Sequence, residues 1–459
     1  MARKKRKIVE VEIKDSLFPN RSIGEYEDEK LVIKGGIKGQ RVKVALGKRR
    51  KDYIEGKIIE VVERSPLERN LQIEEVDFNG GCLYASLLYP DELRLKEDQI
   101  LRLFNEEGFK DINYLGIEGS PITKGYRNKM EYSFGDEVKD GPLILGLHKQ
   151  GQFYSIVDSD GHHLVDRDFT KIRKAVMKYF RDLNASYYRK RSHEGFLRHF
   201  IIRKALSTGE IMLNLVTSSQ DILDKKNFLD FLLNIKNLKG DIVGILHTTN
   251  DGLADTVQAD KLDLLYGKDY IVEEILGLRF KISPFSFFQT NTFGAEKLYS
   301  IVREFVGDIE DKIVFDLYSG TGTIAQIMAP LAKKVIGIEI VEEAVNKAIE
   351  NAKENNLDNI DFIAGDVLQA VDNLDLQPDL IIIDPPRDGI HPKAINKIID
   401  FSPETFAYVS CNPVTLVRDL KVFEERGYKI DKMKLMDMFP RTANMEVVTL
   451  LTRSEASCK

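Results

Sequence analysis

The sequence predicts a multidomain chain: a small N-terminal β-barrel, a central α+β domain and a C-terminal α/β domain on a doubly wound parallel sheet. Three observations predict it. Apolar residues alternate in short runs between glycine-rich turns over residues 1–63. From about Gly119 to Leu278 strand-like and helix-like stretches follow one another without a repeat or low-complexity tract. From about Phe285 onward the rhythm becomes helix, strand, helix, strand, which argues βαβ units and a parallel sheet.

In the N-terminal module the runs Ile8–Ile13, Leu31–Ile33, Arg41–Ala45 and Tyr53–Val62 read as strands, with Gly35-Gly36-Ile37-Lys38-Gly39 a turn between them. This pattern suggests an oligonucleotide-binding type of barrel. Its hairpin tip Gly47-Lys48-Arg49-Arg50-Lys51 reads first as a solubilising turn. Residues 64–89 form a linker region. Residues 90–118 are expected to be a helical segment, with Leu93, Ile100, Leu101 and Phe104 near one face and charges opposite. In the central domain, placed at 119–280, strands are expected at Met130–Phe134, Phe200–Lys204, Ile211–Val216 and Ile242–Thr248, and helices at Phe169–Leu183 and Lys225–Ile235. In the C-terminal domain, placed at 281–459, the strands are Ile313–Leu317, Lys334–Glu339, Ile360–Ala364, Leu380–Asp384 and Phe406–Ser410.

Composition narrows the class. The 459 residues are 43% hydrophobic and 31% charged, which excludes a mainly disordered or collagenous chain. A net charge of −6 means that any polyanion must be held by local basic patches. One such patch is the basic start Met1-Ala2-Arg3-Lys4-Lys5-Arg6-Lys7, a solvated arm or a phosphate contact. It lacks the apolar core of a signal peptide. Three cysteines argue against disulfide stapling and for a reducing cytosol. No apolar run reaches transmembrane length, so a cytoplasmic location and no membrane partner are expected.

The C-terminal domain carries the chemistry. Val314-Phe315-Asp316-Leu317-Tyr318-Ser319-Gly320-Thr321-Gly322 ends a buried strand in a glycine turn, which lets the backbone approach a ligand at the carboxyl edge of the sheet. The next strand ends at Glu339, placed to accept hydrogen bonds from ribose hydroxyls. The third leads to Gly365-Asp366, whose carboxylate could bind an adenine amine. These features fit both NAD and S-adenosylmethionine. Asp316 favours the second, because an acid there suits the ammonium of a methionine moiety and sits badly beside a pyrophosphate.

The fourth strand runs into Asp384-Pro385-Pro386-Arg387, a stiff loop that can fix a carboxylate beside a reacting base. Amino-group methyltransferases put an aromatic residue where Arg387 stands; arginine suits an anionic or carbonyl-rich partner. Cys411 follows the fifth strand, and a helix begins shortly after it, a position that favours thiolate. Glu446 enters an apolar strand, where desolvation would raise its pKa and make it an effective proton acceptor. One chemistry uses all these parts. Uracil C5 is too poor a nucleophile to take a methyl group directly, and thiolate addition at C6 makes it enolate-like. Cys411 would supply the thiolate and Glu446 the base that removes the C5 proton.

At these residues the chain resembles the RNA 5-methyluridine methyltransferase family, specifically the bacterial 23S ribosomal RNA (uracil-5-)-methyltransferases, over nearly its whole length. The resemblance implies a TRAM/OB-like RNA-binding barrel at the N-terminus and a Rossmann-like S-adenosylmethionine-dependent methyltransferase domain at the C-terminus. Tyr126-Arg127-Asn128-Lys129 resembles the family's central RNA-contact motif, implying substrate contacts for Arg127 and Lys129; Arg198-His199-Phe200-Ile201-Ile202-Arg203 does so less specifically. In Ser286-Phe287-Phe288-Gln289-Thr290-Asn291 the family assigns a phenylalanine, Phe287, to base stacking and Gln289 to the cofactor. Tyr318, Gly320, Gly322, Glu339, Asp366 and Asp384 match its cofactor motifs, Arg387 its substrate loop, Ser410-Cys411-Asn412-Pro413 its nucleophile motif, and Phe439-Pro440-Arg441-Thr442 through Glu446 its general-base motif. The 90–118 helix is implied to pack on the catalytic domain.

Two departures stand out. Many relatives hold a [4Fe–4S] cluster on four cysteines. Here only Cys82 remains, with Asn79 at another ligand position and His162 near the fourth, so no cluster and no other metal site are expected. Asn444 stands where relatives often carry histidine. His247 reads as a satisfied core residue and Cys458 as inert. The expected function is S-adenosylmethionine-dependent conversion of uridine to 5-methyluridine in 23S rRNA by a protein acting as a monomer. The alternatives are the T-loop uridine of tRNA, amino-group methylation of adenine or cytosine, and a non-catalytic RNA-binding ribosome-assembly factor.

Overall fold

The computed structural model describes residues 6–70, 81–149, 151–152, 154–160, 163–254, 259–367 and 376–453. Near the N-terminus six strands form one sheet: β1 (Ile8–Glu12), β2 (Asp15–Leu17), β3 (Arg21–Tyr26), β4 (Glu29–Lys34), β5 (Arg41–Arg49) and β6 (Ile54–Glu63), in the order β1-β5-β6-β4-β3-β2. Alternation puts Val11, Ile13, Leu31, Ile33, Val42, Val44 and Ile54 into a core of its own. The basic hairpin tip is partly neutralised: Arg49 pairs with Glu29 at 2.9 Å and Arg50 with Glu55 at 2.7 Å.

Helix α1 (Tyr89–Glu106) and strand β7 (Tyr114–Glu118) follow. The segment is therefore not helical throughout, and its strand joins the C-terminal sheet. The charged face of α1 also differs from expectation. Glu92, Lys96 and Gln99 are buried beside Leu95, Ile100 and Phe104. Within the helix alone these charges read as solvated, because their partners, Asp437 and Arg441, lie far along the chain.

The central region is a seven-stranded sheet. Its strands are β8 (Lys129–Gly135), β9 (Ile144–His148), β10 (Ile156–Val157), β11 (Leu197–Lys204), β12 (Glu210–Thr217), β13 (Asp241–Thr249) and β14 (Lys261–Gly267), and it carries α2 (Arg167–Asp182) and α3 (Lys225–Leu233). A hairpin, β15 (Ile271–Ile275) and β16 (Leu278–Ile282), packs Ile271, Ile275, Phe280 and Ile282 into the same core as the sheet that follows.

That last sheet has eight strands. In chain order the C-terminal elements are α4 (Thr292–Val306), β17 (Ile313–Leu317), α5 (Thr323–Met328), β18 (Lys334–Glu339), α6 (Glu342–Glu354), β19 (Ile360–Ala364), β20 (Leu380–Ile383), α7 (Pro392–Asp400), β21 (Thr405–Ser410), α8 (Pro413–Glu425), β22 (Tyr428–Met436) and β23 (Glu446–Arg453). The strand order is β19-β18-β17-β20-β21-β23-β22-β7. The first five run parallel, and β23 pairs antiparallel with both β21 and β22, so the doubly wound sheet continues into an antiparallel hairpin, with β7 added parallel to β22 at the edge. Both faces are covered, which is why its strands read as continuous apolar runs. Val314, Leu380, Ile382, Ala407 and Val409 face one core; Phe315, Ile381, Ile383, Phe406 and Tyr408 face the other with Ile100 and Phe104 of α1. Burying each of those two α1 side chains contributes about 1.5–3 kcal/mol, enough to hold the helix on this sheet. No helix among the described residues is long and apolar enough to cross a membrane.

Candidate active site

The parallel strands end on one edge, and the expected cofactor residues gather there. β17 turns sharply after Leu317: Tyr318 takes φ 65°, Gly320 56° and Gly322 72°. A side chain on Gly322 would meet the Phe362 ring at 2.4 Å, so only glycine fits this left-handed, crowded position. Asp316 is 1% exposed. One of its oxygens accepts the Ala325 N–H at 2.9 Å, and Oδ1 has no protein partner. Burial and the nearby Asp384 push its pKa well up. The Glu339 carboxylate accepts the Gly320 N–H at 2.9 Å and the Val341 N–H at 3.0 Å, which ties the strand end to the glycine turn. Asp366 lies exposed at the third strand end. An unpaired buried carboxylate oxygen beside a turn of left-handed glycines fits the charged methionine end of S-adenosylmethionine.

The catalytic candidates occupy the adjoining strands. Ser410 pairs with Val447 across β21 and β23, which brings Cys411 towards Glu446. Cys411 is partly buried. Burial, then the Glu446 and Asp384 carboxyls, push its thiol up to about 11, and Arg387 opposes them. A helix start alone therefore does not make it a thiolate; desolvation outweighs it here. Glu446 is 3% exposed, and burial followed by Asp384 pushes it up to about 8, again against Arg387. Burial pushes Asp384 up to about 7. Arg387 is exposed yet acts on both Cys411 and Glu446, so it overlooks the space between them.

Local bonds hold the nucleophile side. Asn412 caps α8 through Val414 N–H at 3.3 Å, and its Nδ2 donates to the Arg387 carbonyl at 2.8 Å. Arg418 donates to the Asp388 carbonyl at 2.9 Å, and buried Asp419 accepts the Ile390 N–H at 2.8 Å and the Tyr408 hydroxyl at 2.7 Å. The Asp384–Gly389 loop thus hangs from the helix that starts beside Cys411.

The central domain closes the other side. Asn128 donates to the Gln289 carbonyl at 2.9 Å and to Thr292 Oγ1 at 3.1 Å, and its N–H reaches Thr290. The Phe287 ring, next to Gln289, is 71% exposed. Burial lowers the pKa of Arg127, and burial with neighbouring Arg203 and Arg127 lowers that of Lys129 against the opposing Glu131 carboxylate 3.9 Å away, so three cations share one nearby acid. Such a group suits phosphate. Arg198 behaves differently: its guanidinium donates to the carbonyls of Asn250, Gly252 and Ala254, so it holds a loop together. Arg203 donates to the carbonyls of Pro284 and Ser286, which fixes the run bearing Phe287.

Sequence reasoning missed Tyr299 on α4. It is buried, its hydroxyl is bonded by the Gln289 side chain, and it faces Asp384, Asp316 and Glu446. A tyrosine on the apolar face of a helix was the available signal. His247 is buried as expected but only half satisfied: Nε2 meets Thr217 Oγ1 at 2.9 Å, Nδ1 has no partner, and burial pushes its pKa down to about 4. Cys82 is packed among Ala85, Tyr126 and Leu164. Asn79, His162, Cys458 and the first five residues lie outside the described residues. No group of three or more metal-ligating side chains assembles among the described residues.

The chain is 50% identical to an RNA methyltransferase of Clostridium tetani, over 99% of this chain and 100% of that one. It is 48% identical to one of Caldanaerobacter subterraneus, over 98% and 100%. A family model described as tRNA (uracil-5-)-methyltransferase matches residues 253–454. The chain belongs to the RNA (uracil-5-)-methyltransferase family. It is an S-adenosylmethionine-dependent RNA methyltransferase. A solved structure with the same fold is the Pyrococcus abyssi tRNA (uracil-54, C5)-methyltransferase in complex with S-adenosyl-L-homocysteine. It has a TM-score of 0.75 and 25% identity, over 96% of this chain and 100% of that one.

Proposed function

We propose that this methyltransferase converts uridine to 5-methyluridine in 23S rRNA through a covalent adduct between Cys411 and C6 of the target base. The observation that carries the reading is the juxtaposition of Cys411 and Glu446 on facing strands beside the Asp316–Gly322 turn. Tyr318, Gly320, Gly322, Glu339, Asp366, Asp384 and Gln289 hold S-adenosylmethionine, which supplies an electrophilic methyl group when bound. Phe287 stacks on the uracil after it leaves its own stack. As its sulfur adds to C6, Cys411 gives its thiol proton to the neighbouring Asp384 carboxylate and recovers it on leaving, while Arg387 approaches the pyrimidine carbonyls and stabilises the charge that builds on them. C5 then takes the methyl group. Glu446, as carboxylate, removes the C5 proton; the C5–C6 double bond re-forms and the Cys411 sulfur leaves C6. Burial raises the proton affinity of Glu446 to about 8, close to working pH, which suits a group that must both take and release a proton.

In this reading the six-stranded N-terminal module is a TRAM-like RNA-binding barrel, residues 119–280 carry the RNA backbone on Arg127 and Lys129, and the protein acts as a cytoplasmic monomer. The whole-chain likeness to the archaeal tRNA enzyme favours a second reading, the equivalent uridine of a tRNA. Mapping 5-methyluridine in both RNAs from a strain lacking the gene separates them. Loss of a mark from 23S rRNA with the tRNA mark intact supports the first; the reverse supports the second.

A further inference from the structure

Strand β22 ends at Met436 and β23 begins at Glu446, and these two residues pair with each other. The loop between them, Asp437 to Met445, bonds mainly to other parts of the chain. The Met438 carbonyl accepts Asn291 Nδ2 at 2.7 Å, and the Pro440 carbonyl accepts the Tyr126 hydroxyl at 3.0 Å. The Arg441 carbonyl accepts the Tyr84 N–H at 3.1 Å. Arg441 takes φ 72°, a left-handed conformation costly for a residue with a side chain, and is gripped from both ends. Its N–H donates to Glu92 at 2.6 Å, and its guanidinium to Glu92 at 3.1 Å and the Leu87 carbonyl at 2.8 Å.

Glu92 also meets Lys96 at 2.8 Å, Lys96 meets Asp437 at 2.9 Å, and Asp437 accepts the Tyr89 hydroxyl at 3.0 Å. Glu92, Lys96 and Asp437 are at most 1% exposed. With Arg441, whose side chain stays 11% exposed, they form a quartet of two cations and two anions largely enclosed by the protein. Desolvating four charges gains little net stability over apolar packing, so it is weak as glue; its charges fix geometry instead. The constraint passes onward within the loop: Thr442 N–H and Oγ1 bond the Phe439 carbonyl at 3.1 and 2.8 Å, and the Asn444 N–H bonds Thr442 Oγ1 at 3.2 Å. Two residues later stands Glu446.

We propose that Glu92, Lys96, Asp437 and Arg441, tied together through α1, are positioning residues for the proton-abstraction step: they set the loop that aims Glu446 at the C5 proton. This inference rests on the reading of Glu446 as the base. Because α1 precedes the central domain in sequence, a segment far from the catalytic motifs completes their geometry.

The test measures two steps separately in single-turnover reactions with a uridine-containing RNA substrate and S-adenosylmethionine: formation of a denaturation-resistant protein–RNA adduct, and release of 5-methyluridine RNA. The main variant is the double substitution Lys96→Met with Asp437→Asn, which removes one charge of each sign and leaves Arg441 paired with Glu92. The second is Tyr89→Phe, which deletes the hydroxyl that donates to Asp437 and accepts the Ser120 N–H at 2.7 Å, and keeps every charge. The expected result is near-normal adduct formation, release slowed roughly ten- to a hundredfold in the double variant and by a smaller factor in Tyr89→Phe, and an unchanged KM for S-adenosylmethionine. Equal slowing of both steps would mean a merely structural role, and unchanged rates in the folded variants would mean none; either overturns the proposal. Should the double variant not fold, Tyr89→Phe alone decides. Glu446→Gln, run alongside, separates the two ideas. If it traps no adduct, the base assignment itself fails; if it traps adduct while the clamp variants partition like wild type, only the clamp fails.

Discussion

Cys411 and Glu446 stand at neighbouring ends of adjacent strands, just after β21 and at the start of β23, yet the structure supports them in opposite ways. The bonds around Cys411 come from its own neighbourhood: Asn412, Thr415, Arg418 and Asp419 fasten α8 to the Asp384–Gly389 loop. The loop before Glu446 is fastened by Tyr84, Glu92, Lys96 and Tyr126, all separated from it by at least 314 residues of chain. A nucleophile that must only be presented can be built from a strand end and a capped helix. In the proposed mechanism, the base that must reach one proton of a bound nucleotide is built where the N-terminal linker, the central domain and the C-terminal sheet meet. The domains are thereby coupled at the catalytic centre rather than merely joined.

The largest expected effect breaks the nucleophile side. Cys411→Ala should lower methyl transfer by roughly 10⁴-fold or more with no loss of thermal stability, because a partly buried thiol is replaced by a smaller group and no hydrogen-bonded charge is orphaned. Radiolabelled methyl incorporation and a melting curve check it.

The base side should show an inverse cost. Glu446 is neutral when folded below about pH 8, while in the unfolded chain it ionises near the ordinary carboxylate value. Between those two values unfolding releases a proton, so its contribution to stability falls as pH rises towards 8 and is lost above it. Glu446→Gln should therefore melt no higher than wild type at acid pH, overtake it as pH rises above the ordinary carboxylate range, and lead by several kcal/mol at and above about pH 8, at about 1.4 kcal/mol per unit of raised pKa. A denaturation series across that range would show the crossover; equal stability at all pH values would mean that the carboxyl is not buried as described.

A smaller effect sharpens the contrast. Asn412→Ala removes a helix cap and a bond to the Arg387 carbonyl, at a cost of about 1 kcal/mol. It should slow adduct formation several-fold and leave elimination unchanged, the mirror image of the clamp variants.

The same contrast explains what could be read from sequence. Ile313–Leu317 and Lys334–Glu339 were legible to the residue, because buried parallel strands are largely apolar runs stopped by glycine and acid, and the half-exposed edge strand Ile360–Ala364 was legible from the Gly365-Asp366 stop. The left-handed Gly320 and Gly322 and the half-satisfied Asp316 lie within one local turn, so their spacing carried their meaning. Strand β7 was not legible, since its partner β22 lies at the other end of the chain. Nor were Asp15–Leu17 and Arg21–Tyr26, short strands with polar residues in register. Lys96 and Glu92 looked like a solvated helix face, because nothing within the helix reveals that Asp437 and Arg441 meet them. Burial of Glu446 was legible from the apolar run it opens, whereas the raised pKa of Cys411 needed the tertiary neighbours Glu446 and Asp384.

The most direct test of the central claim is mass spectrometry of Glu446→Gln protein incubated with the RNA substrate and S-adenosylmethionine. The account predicts a stable covalent complex at the mass of protein plus RNA plus one methyl group, joined through Cys411 and absent when Cys411→Ala is added. Free methylated RNA released at the wild-type rate, with no covalent complex, would contradict it.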